Sequence, residues 1–256
     1  MAQERREDMD LVVGTLFLRP YVFGFFLAFL AAALPDLGWR RALQFVAAVW
    51  PTAWLAEFAS TRVGIPFGLY HYTESTRGQE LYIANVPFFD SLSFVFLAYA
   101  ALCLARLVHA GGVGRGGKLG LVLASGVLMM LLDIVIDPLA VRGERWFLGR
   151  VFYYAEAGEY FGVPLSNFGG WVVVGVIGVG LYVFLAGPPP EGRVWPGVAL
   201  YYAVLAFNLI VTAWIGEWTL AAVGLALHAG IALGLAAQWQ RREARARLER
   251  KELQGV

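Results

Sequence analysis

The chain has 256 residues, of which 59% are hydrophobic and only 15% charged, with a formal net charge of +1 and a mean hydropathy of +0.62. Soluble domains keep about a quarter of their residues charged, so this composition excludes one, and a net charge so near zero points to no class of partner. Cys103 is the only cysteine, which excludes an internal disulfide and a thiolate metal cluster. It reads as a small core residue.

Seven apolar segments of spanning length follow one another, near 14–34, 41–59, 88–108, 118–140, 168–186, 196–214 and 217–237. The expected fold is therefore all-α, a polytopic membrane helical bundle of about seven transmembrane helices in the cell membrane. Uniform hydrophobicity within each segment argues against the alternating pattern of a membrane barrel. The first ten residues mix Arg5 and Arg6 with four acids, and no small-residue cleavage site follows a short apolar core. Leu11–Leu34 is thus expected to stay in place as the first helix, with Arg19 snorkelling from it to the interface. The second segment ends at Glu57. The third opens at Asp90, which reads as an acid complementing the helix macrodipole. Gly111–Gly117 reads as a glycine-rich turn with no phosphate-binding pattern after it. In the last two segments Asn208 and Glu217 read as polar glue between helices or as cavity lining, and His228 as a hydrogen-bonded packing residue. Residues 1–237 make one membrane domain. The charged tail 238–256 reads as a helical extension on the membrane surface or in solvent; its Glu residues interrupt the basic run and argue against nucleic acid.

Two connections are long, 60–87 and 141–167, and alternation of the helices puts both on one face. The opposite face carries more Lys and Arg, including the tail, so the positive-inside rule places the C-terminus in the cytoplasm and both long loops outside. Both loops are rich in aromatic, Pro and Gly residues and are expected to be packed as a roof over a cavity, because irregular backbone at membrane depth survives only when buried or facing water. At each loop an acid is followed by Gly-[Ile/Val]-Pro, Glu57 just ahead of the first loop before Gly64-Ile65-Pro66 and Glu159 within the second before Gly162-Val163-Pro164, a faint sign of duplication with unequal spacing.

Asp133 and Asp137 end the apolar run Leu119–Ala140. Charge at the bilayer centre costs at least a few kcal/mol per group, so ionisable residues there usually mark a site. Their i, i+4 spacing puts both carboxyls on one helix face. Two such carboxyls cannot both ionise easily, so a proton should be held between them near neutral pH. A structural role, by accepting loop amides or pairing with Arg142, Arg145 or Arg150, is the plainer alternative, and Asp137-Pro138 could be a simple helix stop. Glu57 either faces the same cavity or snorkels outward. Tyr70, Tyr72, Tyr160 and Trp171 lie in or beside the loops and read first as an interfacial aromatic belt; around a polyene the same rings could grip it and steady a carbocation. The three histidines lack paired ligand spacing, so no metal site is supported. Lys118 and Lys251 are the only lysines and neither lies in a helix core, which excludes a retinal Schiff base.

Together Glu57, Pro66-Phe67-Gly68-Leu69-Tyr70-His71-Tyr72, Val86-Pro87, Asp133-Ile134-Val135-Ile136-Asp137-Pro138, Trp146 and Tyr160-Phe161-Gly162-Val163-Pro164-Leu165-Ser166-Asn167-Phe168-Gly169-Gly170-Trp171 resemble the membrane carotenoid hydratase family, the CruF-type carotenoid 1,2-hydratases and bisanhydrobacterioruberin hydratases. The resemblance covers about residues 40–175; the first and last two helices match only as generic membrane segments. It implies addition of water across the terminal C1,C2 double bond of an acyclic carotenoid end group, giving a tertiary alcohol without a cofactor.

That chemistry suits the residues. An isolated alkene is a poor base and needs a strong, well-placed acid, which a desolvated carboxyl beside a second carboxyl provides. Asp133 or Asp137 is expected to protonate C2, the partner carboxylate with Glu57 to hold and deprotonate the water, and Asn167 to position it. Phe67, Tyr70, Tyr72, Tyr160, Pro164, Asn167 and Trp171 are the expected substrate contacts. The expected partners are the lipophilic carotenoid, water and the bilayer, with other carotenoid biosynthesis enzymes as possible associates. A carotenoid cyclase, which starts with the same protonation, and a polyene carrier are the alternatives.

Overall fold

The computed structural model describes residues 2–110 and 117–253, so the glycine-rich turn at 111–116 lies outside the described residues. The chain forms helices α1 (Ala2–Leu18), α2 (Pro20–Leu37), α3 (Trp39–Val63), α4 (Phe88–Ala110), α5 (Gly117–Ala140), α6 (Leu165–Ala186), α7 (Trp195–Trp214) and α8 (Trp218–Leu253). Four short strands lie in the loops, β1 (Tyr70–Tyr72), β2 (Tyr82–Ile83), β3 (Val86–Pro87) and β4 (Phe152–Tyr154). The architecture is the all-α polytopic bundle that the segment lengths predict. Among the described residues six helices, α2, α4, α5, α6, α7 and the first part of α8, are long and apolar enough to cross a membrane. The seventh expected span, α3, has the length, at 25 residues, but Gln44, Thr52 and Glu57 make it less apolar.

One expectation is corrected at the start of the chain. Leu11–Leu34 is not one helix: it breaks at Arg19, whose backbone (φ −130°, ψ 61°) leaves the helical region before Pro20 opens α2. Proline restricts the residue before it and is well placed at the first helical position, so the break follows from the Arg-Pro pair. Arg19 consequently does not snorkel; it is 2% exposed. A second correction concerns Pro138, which does not stop α5. The helix runs on to Ala140, with Pro138 in its last turn.

α4 is the central helix, touching α2, α3, α5, α6 and α7. Its sealed stretch from Val95 to Ala105 includes Ala98, Ala100, Ala101 and Cys103, small side chains that let neighbouring backbones close in, as packing between membrane helices requires. Cys103 is the core residue its type suggests. α5 and α6 pack backbone to backbone: a Cβ on Gly175 would lie 2.8 Å from the Gly126 Cα. That contact sets the face of α5 against the face of α6.

The two long loops are packed, and on the same face. β1 pairs antiparallel with β4, Tyr70 opposite Tyr154 and Tyr72 opposite Phe152, so residues from both loops form one cap over the bundle. β2 and β3 form a small hairpin beside it. The two Gly-[Ile/Val]-Pro segments are not structurally equivalent, since Glu57 is buried on α3 whereas Glu159 is exposed.

Candidate active site

Asp133 and Asp137 project from one face of α5 toward α6, and α6 answers with two donors at the same i, i+4 spacing. The Asn167 Nδ2 donates to Asp133 Oδ2 at 2.7 Å and to Asp137 Oδ2 at 2.8 Å. The Trp171 Nε1 donates to the same Asp137 oxygen at 3.1 Å. One amide thus clasps two carboxyls, and an indole fixes the outer one. Asp133 is 0% exposed, with its Oδ1 taking the Asp137 backbone N–H at 3.2 Å. Asp137 is partly open and lines a cavity under the cap. None of the expected arginines pairs with either aspartate. Arg142 and Arg145 bind Glu217 instead, and Arg150 faces Glu144. Glu217 is therefore an ion-pair partner beneath the cap rather than cavity lining.

Glu57 is brought to the same cavity by the last turns of α3, at 5% exposure. Snorkelling is excluded by that burial. The turn after α3 is tied down by Ser60, whose Oγ accepts the Phe67 N–H at 3.0 Å, and this carries the chain into β1. Tyr70 and Tyr72 on β1 line the cavity with Glu57, their rings edge to face with centroids 5.5 Å apart. Burial, and after it the neighbouring Glu57 charge, pushes both phenols well above the usual range, so both remain protonated as donors.

The aromatic walls are ordered rather than a loose belt. Trp171 stacks on Phe94 with centroids 4.3 Å apart and planes 11° from parallel, and Phe67 leans on both. Gly170 makes this possible. A Cβ there would sit 2.6 Å from Phe67 Cδ1 and 2.8 Å from the Pro66 oxygen. The lining of the cleft is mainly apolar with a few converging polar groups, the usual make-up of a small-molecule site.

Of the residues singled out by sequence, the cavity brings together Glu57, Phe67, Tyr70, Tyr72, Asp137, Asn167 and Trp171. Asp133 sits behind Asp137, and Tyr160 and Pro164 lie outside the lining. The Tyr160 ring packs edge-on against Phe168 at 5.3 Å. Pro164 is the neighbour that a Cβ on Gly68 would meet at 3.0 Å. Two polar lining residues were given other roles by the sequence reading. Arg19 and Asp90 line the cavity and pair with each other, Arg19 Nη1 donating to Asp90 Oδ1. The signal for Arg19 was present, a charge inside an apolar span; that for Asp90 was masked by its place in the first turn of α4. Asn208 also lines the cavity while its Nδ2 donates to the Val204 oxygen at 2.9 Å. His228 is a packing residue, bonded to the Gly224 oxygen at 2.9 Å and the Tyr201 hydroxyl at 3.3 Å. Among the described residues no group of three or more His, Cys, Asp or Glu is placed to hold a metal ion.

Fold and site together define a polytopic membrane protein with an acid-bearing, aromatic-walled cavity beneath a two-loop cap. The chain belongs to the carotenoid biosynthesis protein family, whose model matches residues 14–231. It is 30% identical over 182 residues to the bisanhydrobacterioruberin hydratase of Haloarcula japonica, an overlap of 68% of this chain and 57% of that protein. The chain thus spans little more than half the length of this curated relative. No solved structure matches it.

Proposed function

We propose that this protein hydrates the terminal C1,C2 double bond of an acyclic carotenoid end group to a tertiary alcohol. The observation that carries the reading is the carboxyl pair clasped by Asn167, with Asp137 open to an aromatic cavity inside the bundle. Membership of a carotenoid biosynthesis family and similarity to a hydratase support it.

Asp137, the member of the pair that reaches the cavity, gives its proton to C2, and the π-electrons of the double bond form the new C–H bond. The Asn167 and Trp171 N–H groups on Oδ2 hold the charge left behind on the carboxylate. The cation at C1 lies among Phe67, Phe94 and Trp171, whose ring faces stabilise positive charge. Water then forms the C1–O bond and passes a proton to Glu57, the neighbour of Tyr72. The proton that Glu57 takes from water returns to Asp137, restoring the pair in which Asp133 is the buried second carboxyl, so each turnover ends with the groups as they began. The addition is redox-neutral and leaves only the hydrated product.

The test is Asp137→Asn in membranes supplied with lycopene. Hydration is expected to fall by about 100-fold or more, the range for removing a general acid, while Asp133→Asn, acting from behind, lowers it less. Near-normal hydration by a folded, inserted Asp133→Asn, Asp137→Asn double variant would overturn the assignment.

A further inference from the structure

The polar groups around the cavity fall into two sets of different character. On the α5–α6 side, the oxygens that face Asn167 and Trp171 are matched by protein donors. On the side built by α2, α3, α4 and the first loop they are not. Arg19 Nη2 donates to Glu80 Oε1 at 2.7 Å, Nη1 donates to Asp90 Oδ1, and Thr76 Oγ1 donates to the same Glu80 oxygen at 2.5 Å. Arg19 Nε, Glu57 Oε2, Glu80 Oε2 and Asp90 Oδ2 are all sealed and have no protein partner.

We infer that Arg19, Glu80 and Asp90, together with Glu57, form the water-binding side of the cavity, the place where the second substrate is held before it attacks. The inference rests on the hydration reading above. A plain pinning role for Arg19, tying the start of α2 to the loop and to α4, accounts for its Nη bonds. It does not account for one donor and three acceptors left open, three of these four atoms on residues that line the cavity. Buried polar atoms are rarely left unpaired, and water is their usual partner where protein provides none. Water offers both donors and acceptors to such a set and is small enough to reach it. Three carboxyl groups around one guanidinium make this side unfavourable for an anion.

The geometry divides the reaction between two sets of helices. Asp137 on α5 delivers the proton to C2, and water at the Arg19–Asp90 side forms the C1–O bond, losing its proton to Glu57. Arg19, Glu80 and Asp90 are positioning residues for that water. Without it the cation can lose a proton from C2 or from a neighbouring methyl carbon, which regenerates an alkene, or be trapped by a double bond of its own chain to give a ring of unchanged mass.

Proton loss provides the test. Membranes carrying the chain are incubated with lycopene in D₂O, and liquid chromatography with mass spectrometry reads hydrated product and deuterium in recovered lycopene. Asp90→Asn and Glu80→Gln are expected to lower hydration by about 10-fold while deuterium uptake stays within about threefold of the unmodified protein, the split expected when only the step after protonation is impaired. A structural defect lowers both together, and that result, or unchanged hydration, would overturn the inference. Thermal unfolding of the solubilised variants verifies folding. Should Asp90→Asn fail to accumulate, Thr76→Val, which alters no charge, carries the same comparison with a smaller, about threefold, loss. If the unmodified chain neither hydrates nor exchanges, the hydration reading itself fails, an outcome distinct from parallel loss in the variants.

Discussion

Asn167 spends both hydrogens of one amide on two carboxyl groups, and Trp171 adds its indole N–H to the outer of them. This makes the two side chains separable by substitution. Trp171→Phe keeps a ring against Phe94 and removes only the N–H, so turnover should fall about 10-fold with substrate affinity little changed. Asn167→Ala removes the donor from both carboxyls and should cost more, as for a lost donor to developing negative charge. Steady-state kinetics on purified protein separate the two. Tyr72 gives a pH prediction. Its phenol is raised by burial and by Glu57, so whatever stability it contributes is present below the ordinary phenol value of about 10 and is lost only as pH rises beyond it. Tyr72→Phe should therefore lower the rate without moving the alkaline limb of the pH–rate profile between about pH 6 and 9. A shifted limb would show that Tyr72 titrates in that range.

At the level of elements, the site depends on how closely α5 and α6 approach. Gly175 and Gly126 allow backbone contact, and the aspartates and their donors lie at the cap end of the same pair. Gly175→Val should push the helices apart, lower the unfolding temperature and lower activity at least about 10-fold through Asn167 and Trp171, although it touches no reacting group. An unchanged activity would separate the helix contact from the site. The helices themselves were legible from apolar length, and the aspartate pair from its cost in hydrocarbon. The break at Arg19-Pro20 was missed because apolar residues continue on both sides of it. The strands were missed because stretches of two and three residues carry no alternation to read. Arg19 and Asp90 stand 71 positions apart, so their pairing is a product of tertiary structure that neither residue's local context predicts. Asp90 satisfied a local rule, an acid in the first helical turn, and that rule concealed its place in the cavity.

The whole molecule is a helical bundle closed on one face by a cap drawn from two distant loops. Buried ion pairs fasten it at both ends: Arg19 with Glu80 and Asp90 under the cap, and Arg106 with Asp36 at 2.6 Å at the far end of α2 and α4. Breaking one partner of such a pair leaves an uncompensated buried charge and costs about 3–5 kcal/mol. Arg106→Met should accordingly destabilise the solubilised protein in thermal unfolding, far from the cavity and without changing which product forms. This arrangement places the cavity at the cap end of the bundle. The most direct measurement of the central claim is pigment analysis by liquid chromatography and mass spectrometry in a bacterium that makes lycopene, with and without this chain. Hydration predicts more polar pigments, heavier by one water for each reacted end and with the polyene absorption unchanged. Products of unaltered mass, or an unaltered profile with the chain present in the membrane, would contradict it.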